Sequence, residues 1–319
     1  MTSFEITPKG PFSLAAAADF AGGFAPGLGG GSVEARGAGP SILMAFPLES
    51  WTTSAAVDIS QAADGTVHGQ IFGARELTAD EVEQAQVQAL RSLSLDHDGT
   101  GWMEVGRQDP VIGELQKQYD WIRPVCFYSA YESATSFVIG QRIAMRQGAR
   151  VKAALGEQYG DEIDLGGGRS VNAFPRPQRL LDAAEVKGIS AEKVKRIHGL
   201  ARAALDGELD TGALRELPVE EAIVRLEALP GVGPWTAQGI LMRGCGSADT
   251  IPTEDTISRE AVRHFYKLDA APTDAQWLEI SDQWRPFRMW ATVLLHMGWR
   301  REQPETPSYR QGSRGKPQG

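Results

Sequence analysis

Two stretches of this chain combine residue types and spacings that have chemical meaning. Leu229-Pro-Gly-Val-Gly-Pro-Trp-Thr-Ala237 follows a segment in which Val219, Ile223, Leu226 and Leu229 share one helical face, and Pro234 then stands at the favoured first position of a second helix. The break between the two predicts a helix-hairpin-helix. Gly231 and Gly233 let the backbone come close to a ligand, and the N–H groups that open the second helix lie at the positive end of its dipole. Such a turn suits a phosphate of a nucleic-acid backbone, held without regard to base sequence, although a bare Gly-x-Gly also serves as an ordinary helical turn. The second stretch, Ile251-Pro-Thr-Glu-Asp255, places Asp255 22 residues after Gly233 and at the start of a helix whose apolar face is Ile257, Ala261 and Phe265. Taken alone, an Asp there is an N-cap, and the helix end favours its ionised form. A carboxylate beside a phosphate-binding turn has a use where a cation develops between them. Cleavage of an N-glycosidic bond makes that cation on the sugar, where a carboxylate can stabilise it or trap it through an activated water.

The elements that must position this pair fall into two blocks. Before residue 109, short alternating or β-branched runs at 4–7, 41–46, 55–59 and 66–72 read as strands, with helices over 11–20 and over 78–95, the latter opened by the capping pattern Thr78-Ala-Asp-Glu81. The order β-α-β-β-β-α predicts a small α+β domain over 1–108. Residues 22–40, with Gly-Leu-Gly-Gly-Gly-Ser at 27–32, read as a flexible loop and match no nucleotide-binding pattern. From Asp109 the pattern turns helical and stays so, with candidate helices at 111–119, 127–144, 146–159, 178–184, 191–205, 219–229, 234–243, 255–266 and 274–299. An all-α bundle over 109–301 is therefore expected. The stretch 302–319 is too polar to order itself and reads as a disordered tail, with a weak attraction for DNA through Arg310, Arg314 and Lys316.

Composition limits the partners. With 319 residues, 42% of them hydrophobic, the chain can bury a full core. Cys126 and Cys245 stand apart without a CxxC, and His68, His97, His198, His264 and His296 are scattered, so neither a disulfide framework nor a metal site is expected. Long apolar runs are absent, and Thr2-Ser-Phe-Glu5 does not open a secretory signal, so no membrane contact and a cytoplasmic location are expected. The net charge of −9 argues on its face against a polyanion as partner. The charge is uneven, however. Residues 1–120 hold 6 Lys and Arg against 16 Asp and Glu, whereas 142–202 hold 12 against 7, so a locally basic face is available.

Leu229–Ala237 and Asp255 at this distance resemble the helix-hairpin-helix DNA glycosylase superfamily, and most closely its bacterial 3-methyladenine DNA glycosylase II, or AlkA-type, branch. Phe137-Val-Ile-Gly-Gln-Arg-Ile143, Ala173-Phe-Pro-Arg-Pro-Gln-Arg179, Lys187–Arg196 and Trp284-Arg-Pro-Phe-Arg-Met-Trp290 agree with it. The resemblance implies a TBP-like α+β half before a helical bundle, and a monofunctional enzyme that flips and excises alkylated purines in base excision repair. It puts Asp255 on the catalytic aspartate, with Glu254 as a one-residue alternative. Trp235 occupies the position where bifunctional relatives carry a Schiff-base lysine; without an amine there, a lyase reaction has no covalent route. Trp235, His296 and Phe20 are its candidate base-pocket residues, each open to a plain core reading. Gly239 stands where a relative has an aromatic, and Arg288 and Trp284 match structural positions. Gln141 and Arg142 fall on the loop that fills the gap left by the extruded nucleotide, Arg142 replacing the apolar wedge usual in that branch. Gly231, Val232, Gly233 and Thr236 would contact the DNA backbone. No redox or organic cofactor is implied, only a monovalent cation on hairpin carbonyl oxygens. The expected partner is double-stranded DNA containing damaged bases, acted on near the nucleoid by a monomer.

Three readings compete. A related enzyme for an oxidised or deaminated base differs in pocket shape, which sequence leaves open. A non-catalytic DNA-binding protein would keep the hairpin without needing Asp255. A protein-interaction module would show no salt-sensitive affinity for DNA.

Overall fold

The computed structural model of the chain describes residues 2–24, 33–36 and 39–302. Its first half alternates strands and helices: β1 (Thr2–Ile6), α1 (Leu14–Phe24), β2 (Val33–Arg36), β3 (Gly39–Pro47), β4 (Ser54–Gln61), β5 (Val67–Gly73) and α2 (Ala79–Ser92). The capping pattern at Thr78 closes as expected, with the Glu81 N–H donating to the Thr78 hydroxyl at 3.3 Å and the Thr78 N–H to the Glu81 carboxylate at 3.0 Å. The five strands form one antiparallel sheet in the order β1-β5-β4-β3-β2. Residues 33–36 and 39–40 thus correct the reading of 22–40 as loop, since β2 pairs with β3 from Val33 against Ile42 to Arg36 against Gly39. Four residues between Ser32 and Gly37 carry too little local preference to be recognised without the strand they pair with. The glycine-rich residues 27–32 lie outside the described residues.

Period-two alternation gives the sheet two apolar faces. Ile42, Met44 and Phe46 of β3 with Val57 and Ile59 of β4 pack on Leu14, Ala17 and Phe20 of α1 and on Ala85 and Ala89 of α2. Leu43, Ala45 and Ala56 face the opposite way. They are covered by Ile163, Leu165 and Ala173, which come from a hairpin of β6 (Glu162–Gly166) and β7 (Arg169–Asn172). This hairpin corrects the expectation that the chain stays helical after 109. Its strands are short and flank Gly166-Gly167-Gly168, all three with positive φ, and they become strands because a sheet face needs a cover.

The helices are α3 (Trp102–Gln108), α4 (Pro110–Gln118), α5 (Ala130–Gly140), α6 (Met145–Tyr159), α7 (Pro177–Leu180), α8 (Ala191–Leu205), α9 (Thr211–Glu216), α10 (Val219–Glu227), α11 (Pro234–Gly239), α12 (Thr256–Phe265), α13 (Asp274–Asp282) and α14 (Arg288–Glu302). A π-helical turn, Ile240–Gly244, continues α11. The segment 274–299, expected as one helix, is two: Pro286 has no N–H to donate, and the chain turns between Asp282 and Arg288. Glu302 closes α14, and the remainder of the expected tail, with Arg310, Arg314 and Lys316, lies outside the described residues. No helix among the described residues is long and apolar enough to cross a membrane.

Packing divides the described residues into two large cores. The first joins the α+β half to α3, α4 and α12–α14, running through residues 108 and 109 without a break; the second is built from α5–α11. Polar contacts hold them together. The Trp51 indole donates to the Ala204 carbonyl of α8 at 3.2 Å, and Asp161 accepts from Ser54 at 2.8 Å and from Arg176 at 2.9 Å. Buried Asp109 caps α4 and accepts from the Trp284 indole at 2.8 Å and from the Tyr266 hydroxyl. Arg288 grips Asp249 at 2.8 Å at the start of α14. These bonds fix α12 and α14, the two helices that carry the site, and give Trp284 and Arg288 the structural place expected of them.

Candidate active site

The hairpin between α10 and α11 forms where it was expected. Gly231 has φ +78°, and a Cβ there would lie 2.8 Å from the Arg196 stem, so only glycine fits. Gly233 is extended, with φ −110° and ψ 179°, and a Cβ there would meet nothing within 4 Å. The space in front of Gly233 is therefore open to a ligand. Val232 and Thr236 are buried, so a contact from these positions would run through backbone N–H groups. The Leu229 carbonyl accepts the Val232 N–H at 3.1 Å and the Gly231 carbonyl accepts the Gln141 amide at 2.8 Å. Carbonyl oxygens have two lone pairs, so these residues remain compatible with a weakly held monovalent cation. Among the described residues, no group of three His, Cys, Asp or Glu could hold a metal ion.

Gln238 connects the hairpin to the segment before α12, donating to the Thr253 hydroxyl at 2.6 Å and accepting the Glu254 N–H at 3.3 Å. That segment ends at Asp255, which caps α12 through the Ile257 and Ser258 N–H groups, both at 3.3 Å. Asp255 is only 5% exposed, whereas Glu254 is exposed. The Ser258 hydroxyl donates to Asp255 Oδ2 at 2.6 Å, and His296 Nε2 lies 2.8 Å from the same oxygen. Burial pushes the Asp255 carboxyl upward; His296, Ser258 and the Ile257 N–H outweigh it and hold the group well below the usual carboxylate range. The site thus stores an ionised carboxylate out of water, able to stabilise a cation formed in front of it.

Around this carboxylate the expected pocket residues are distributed unevenly. Trp235 is half-buried, edge-on to Phe137 with ring centroids 5.4 Å apart. Phe137 also explains Gly239: a Cβ on Gly239 would lie 2.6 Å from the Phe137 ring, so an aromatic from α5 fills the place left by the missing side chain. Phe20 is 2% exposed, in the first core, with the Arg243 guanidinium over its ring at 5.1 Å. Arg243 stands in the π-helical turn. Arg300 lies one turn beyond His296 on α14; burial lowers its pKa while the charge of Asp255 works the other way. Sequence reasoning missed Ser258, Phe137, Gln238 and Arg300. Only Ser258 had a local signal, standing three residues after a capping Asp.

The loop between α5 and α6 brings Gln141 to the hairpin. Its amide donates to Gly231, its side-chain oxygen accepts from Arg196 at 3.5 Å, and Lys193 of α8 donates to the Ile139 carbonyl at 2.8 Å and to the Gln141 carbonyl. Gln141 is therefore tied into the scaffold. Arg142 is exposed at φ +56°, an uncommon conformation for a residue with a side chain, at the tip of a loop pinned on both sides.

No family model matches the chain. It is 28% identical over 213 residues to the DNA-3-methyladenine glycosylase of Bacillus subtilis, a match covering 65% of this chain and 69% of that one. It is also 28% identical over 197 residues to DNA-3-methyladenine glycosylase 2 of Escherichia coli, covering 59% and 65%. The solved 3-methyladenine DNA-glycosylase of Archaeoglobus fulgidus superposes with a TM-score of 0.75 at 22% identity, covering 93% of this chain and 98% of that one, a likeness of fold. With a hairpin and a buried helix-capping carboxylate joined on this architecture, the chain resembles the helix-hairpin-helix DNA glycosylases in fold, and the curated relatives it matches in sequence are named DNA-3-methyladenine glycosylases.

Proposed function

We propose that the chain is a monofunctional DNA glycosylase that releases alkylated purines, of the 3-methyladenine and 7-methylguanine type, from duplex DNA by hydrolysis of the N-glycosidic bond. The observation that carries this reading is Asp255: an ionised carboxylate, buried and fixed by four hydrogen-bond contacts, linked through Gln238 to a hairpin with open space before Gly233. The hairpin N–H groups hold a backbone phosphate, and Arg142 enters the stack as the damaged nucleotide rotates out. Trp235 and Phe137 offer electron-rich aromatic surface to a purine that alkylation has made cationic. Such a base leaves without much help from an acid, so Asp255 has only to stabilise the sugar cation and to orient or deprotonate the attacking water. Glu254, exposed and bonded through its backbone, is poorly placed for this. Position 235 offers an indole rather than an amine, so the sugar is not captured and the strand is not cut. One chain encloses one nucleotide, consistent with a monomer.

The test is release of free bases from methylated duplex DNA, resolved by chromatography, with strand nicking followed separately. Methylpurines without nicking are expected. Nicking by the purified protein would overturn the monofunctional assignment, and failure to release methylpurines, with oxidised or deaminated bases released instead, would overturn the substrate class. Gly233→Glu adds its charge where a phosphate would sit, and the fold has room for the side chain. Affinity for any duplex should fall about tenfold or more, irrespective of sequence, with thermal stability unchanged. Unaltered affinity in a titration would take the hairpin off the DNA.

A further inference from the structure

His296, expected as a pocket aromatic, touches the carboxylate itself. Its Nε2 lies 2.8 Å from Asp255 Oδ2 and 2.8 Å from the Ser258 hydroxyl, which donates to the same Oδ2 at 2.6 Å. One proton arrangement satisfies all three contacts. The hydroxyl gives its hydrogen to the ionised carboxylate, so towards His296 it can only accept, and the hydrogen between them is on Nε2. The two carboxylate oxygens are consequently unequal. Among the described residues, Oδ2 takes the hydroxyl, the imidazole and the Ser258 N–H, whereas Oδ1 takes only the Ile257 N–H, at 3.3 Å.

We propose that Ser258 and His296 are positioning residues that pin Oδ2 and leave Oδ1 to face the sugar cation or the attacking water. The inference rests on the reading of Asp255 given above. The hydroxyl and the Nε2–H hold one carboxylate oxygen by hydrogen bonds from two different helices, α12 and α14, and so fix the direction in which the other oxygen points.

The experiment is single-turnover release of 7-methylguanine, with duplex affinity measured beside the rate. His296→Ala should lose about tenfold or more in rate with duplex affinity unchanged, and Ser258→Ala should be slower in the same way. His296→Gln keeps an N–H donor and should recover most of the His296→Ala loss. Full activity in His296→Ala, a loss that falls on duplex affinity rather than on rate, or a His296→Gln no faster than His296→Ala would overturn the proposal. A wild-type protein that releases no base would instead remove the enzyme reading beneath it.

Discussion

Asp255→Asn is expected to lower base release by at least about 10³-fold while leaving duplex affinity and folding close to wild type. The substitution is a sharp probe because Asn is as good an N-cap as Asp and has nearly its shape: its carbonyl oxygen can take the place of Oδ2 and accept from the Ser258 N–H and hydroxyl, and only the Ile257 N–H loses its acceptor. The main loss is the charge. A buried charge acts on a developing cation through a medium much less polarisable than water, so its loss falls on the rate rather than on binding. Glu254→Gln should by contrast be nearly silent. Comparable losses in both variants, or near-normal turnover in Asp255→Asn, would move the role elsewhere.

The largest effect on stability is expected at a pair remote from the carboxylate. Lys152 of α6 and Glu132 of α5 meet at 2.9 Å in the second core, both almost wholly inaccessible, with the ammonium over the rings of Phe127 and Phe174. Burial pushes the Glu132 carboxyl up, and Lys152 pulls it part of the way back. Lys152→Met removes that pull and leaves an acid among apolar groups, which should cost about 3–5 kcal/mol. The sign of the pH effect follows. A raised folded-state pKa means that stability is retained below the unfolded pKa and lost as pH rises through the folded one, so the deficit should be larger at neutral pH than in acid. Urea unfolding at two pH values measures it, and the double variant Lys152→Met/Glu132→Leu should recover most of the loss. A single-variant deficit below about 1 kcal/mol, or one that grows on acidification, would contradict this account.

The features legible in sequence were those determined by residues close together in the chain. The hairpin needs a glycine where φ is positive at 231 and a proline at the first helical position, both within four residues. Asp255 and Thr78 are caps, which act across three residues. What escaped was decided across long separations. The contact of His296 with Asp255 spans 41 positions of chain, from His296 back to Asp255, and neither helix announces which partner it will meet. Phe137 occupies the space of Gly239 only because α5 and α11 cross there. Strands 33–36 and 162–172 take their conformation from neighbours that supply hydrogen bonds or an apolar face.

The hairpin of β6 and β7 also bears on the order in which the chain can acquire its structure during synthesis. Leu43, Ala45 and Ala56 are made early, but the residues that shield them end at Ala173. A ribosome moving at about 5–20 residues per second leaves that sheet face open to water for several seconds after α2 has emerged. For that interval the nascent chain displays a flat apolar surface of the kind chaperones bind. The same dependence makes residues 1–108 a poor fragment to express alone, because one face of the sheet is covered by a strand pair that the fragment lacks.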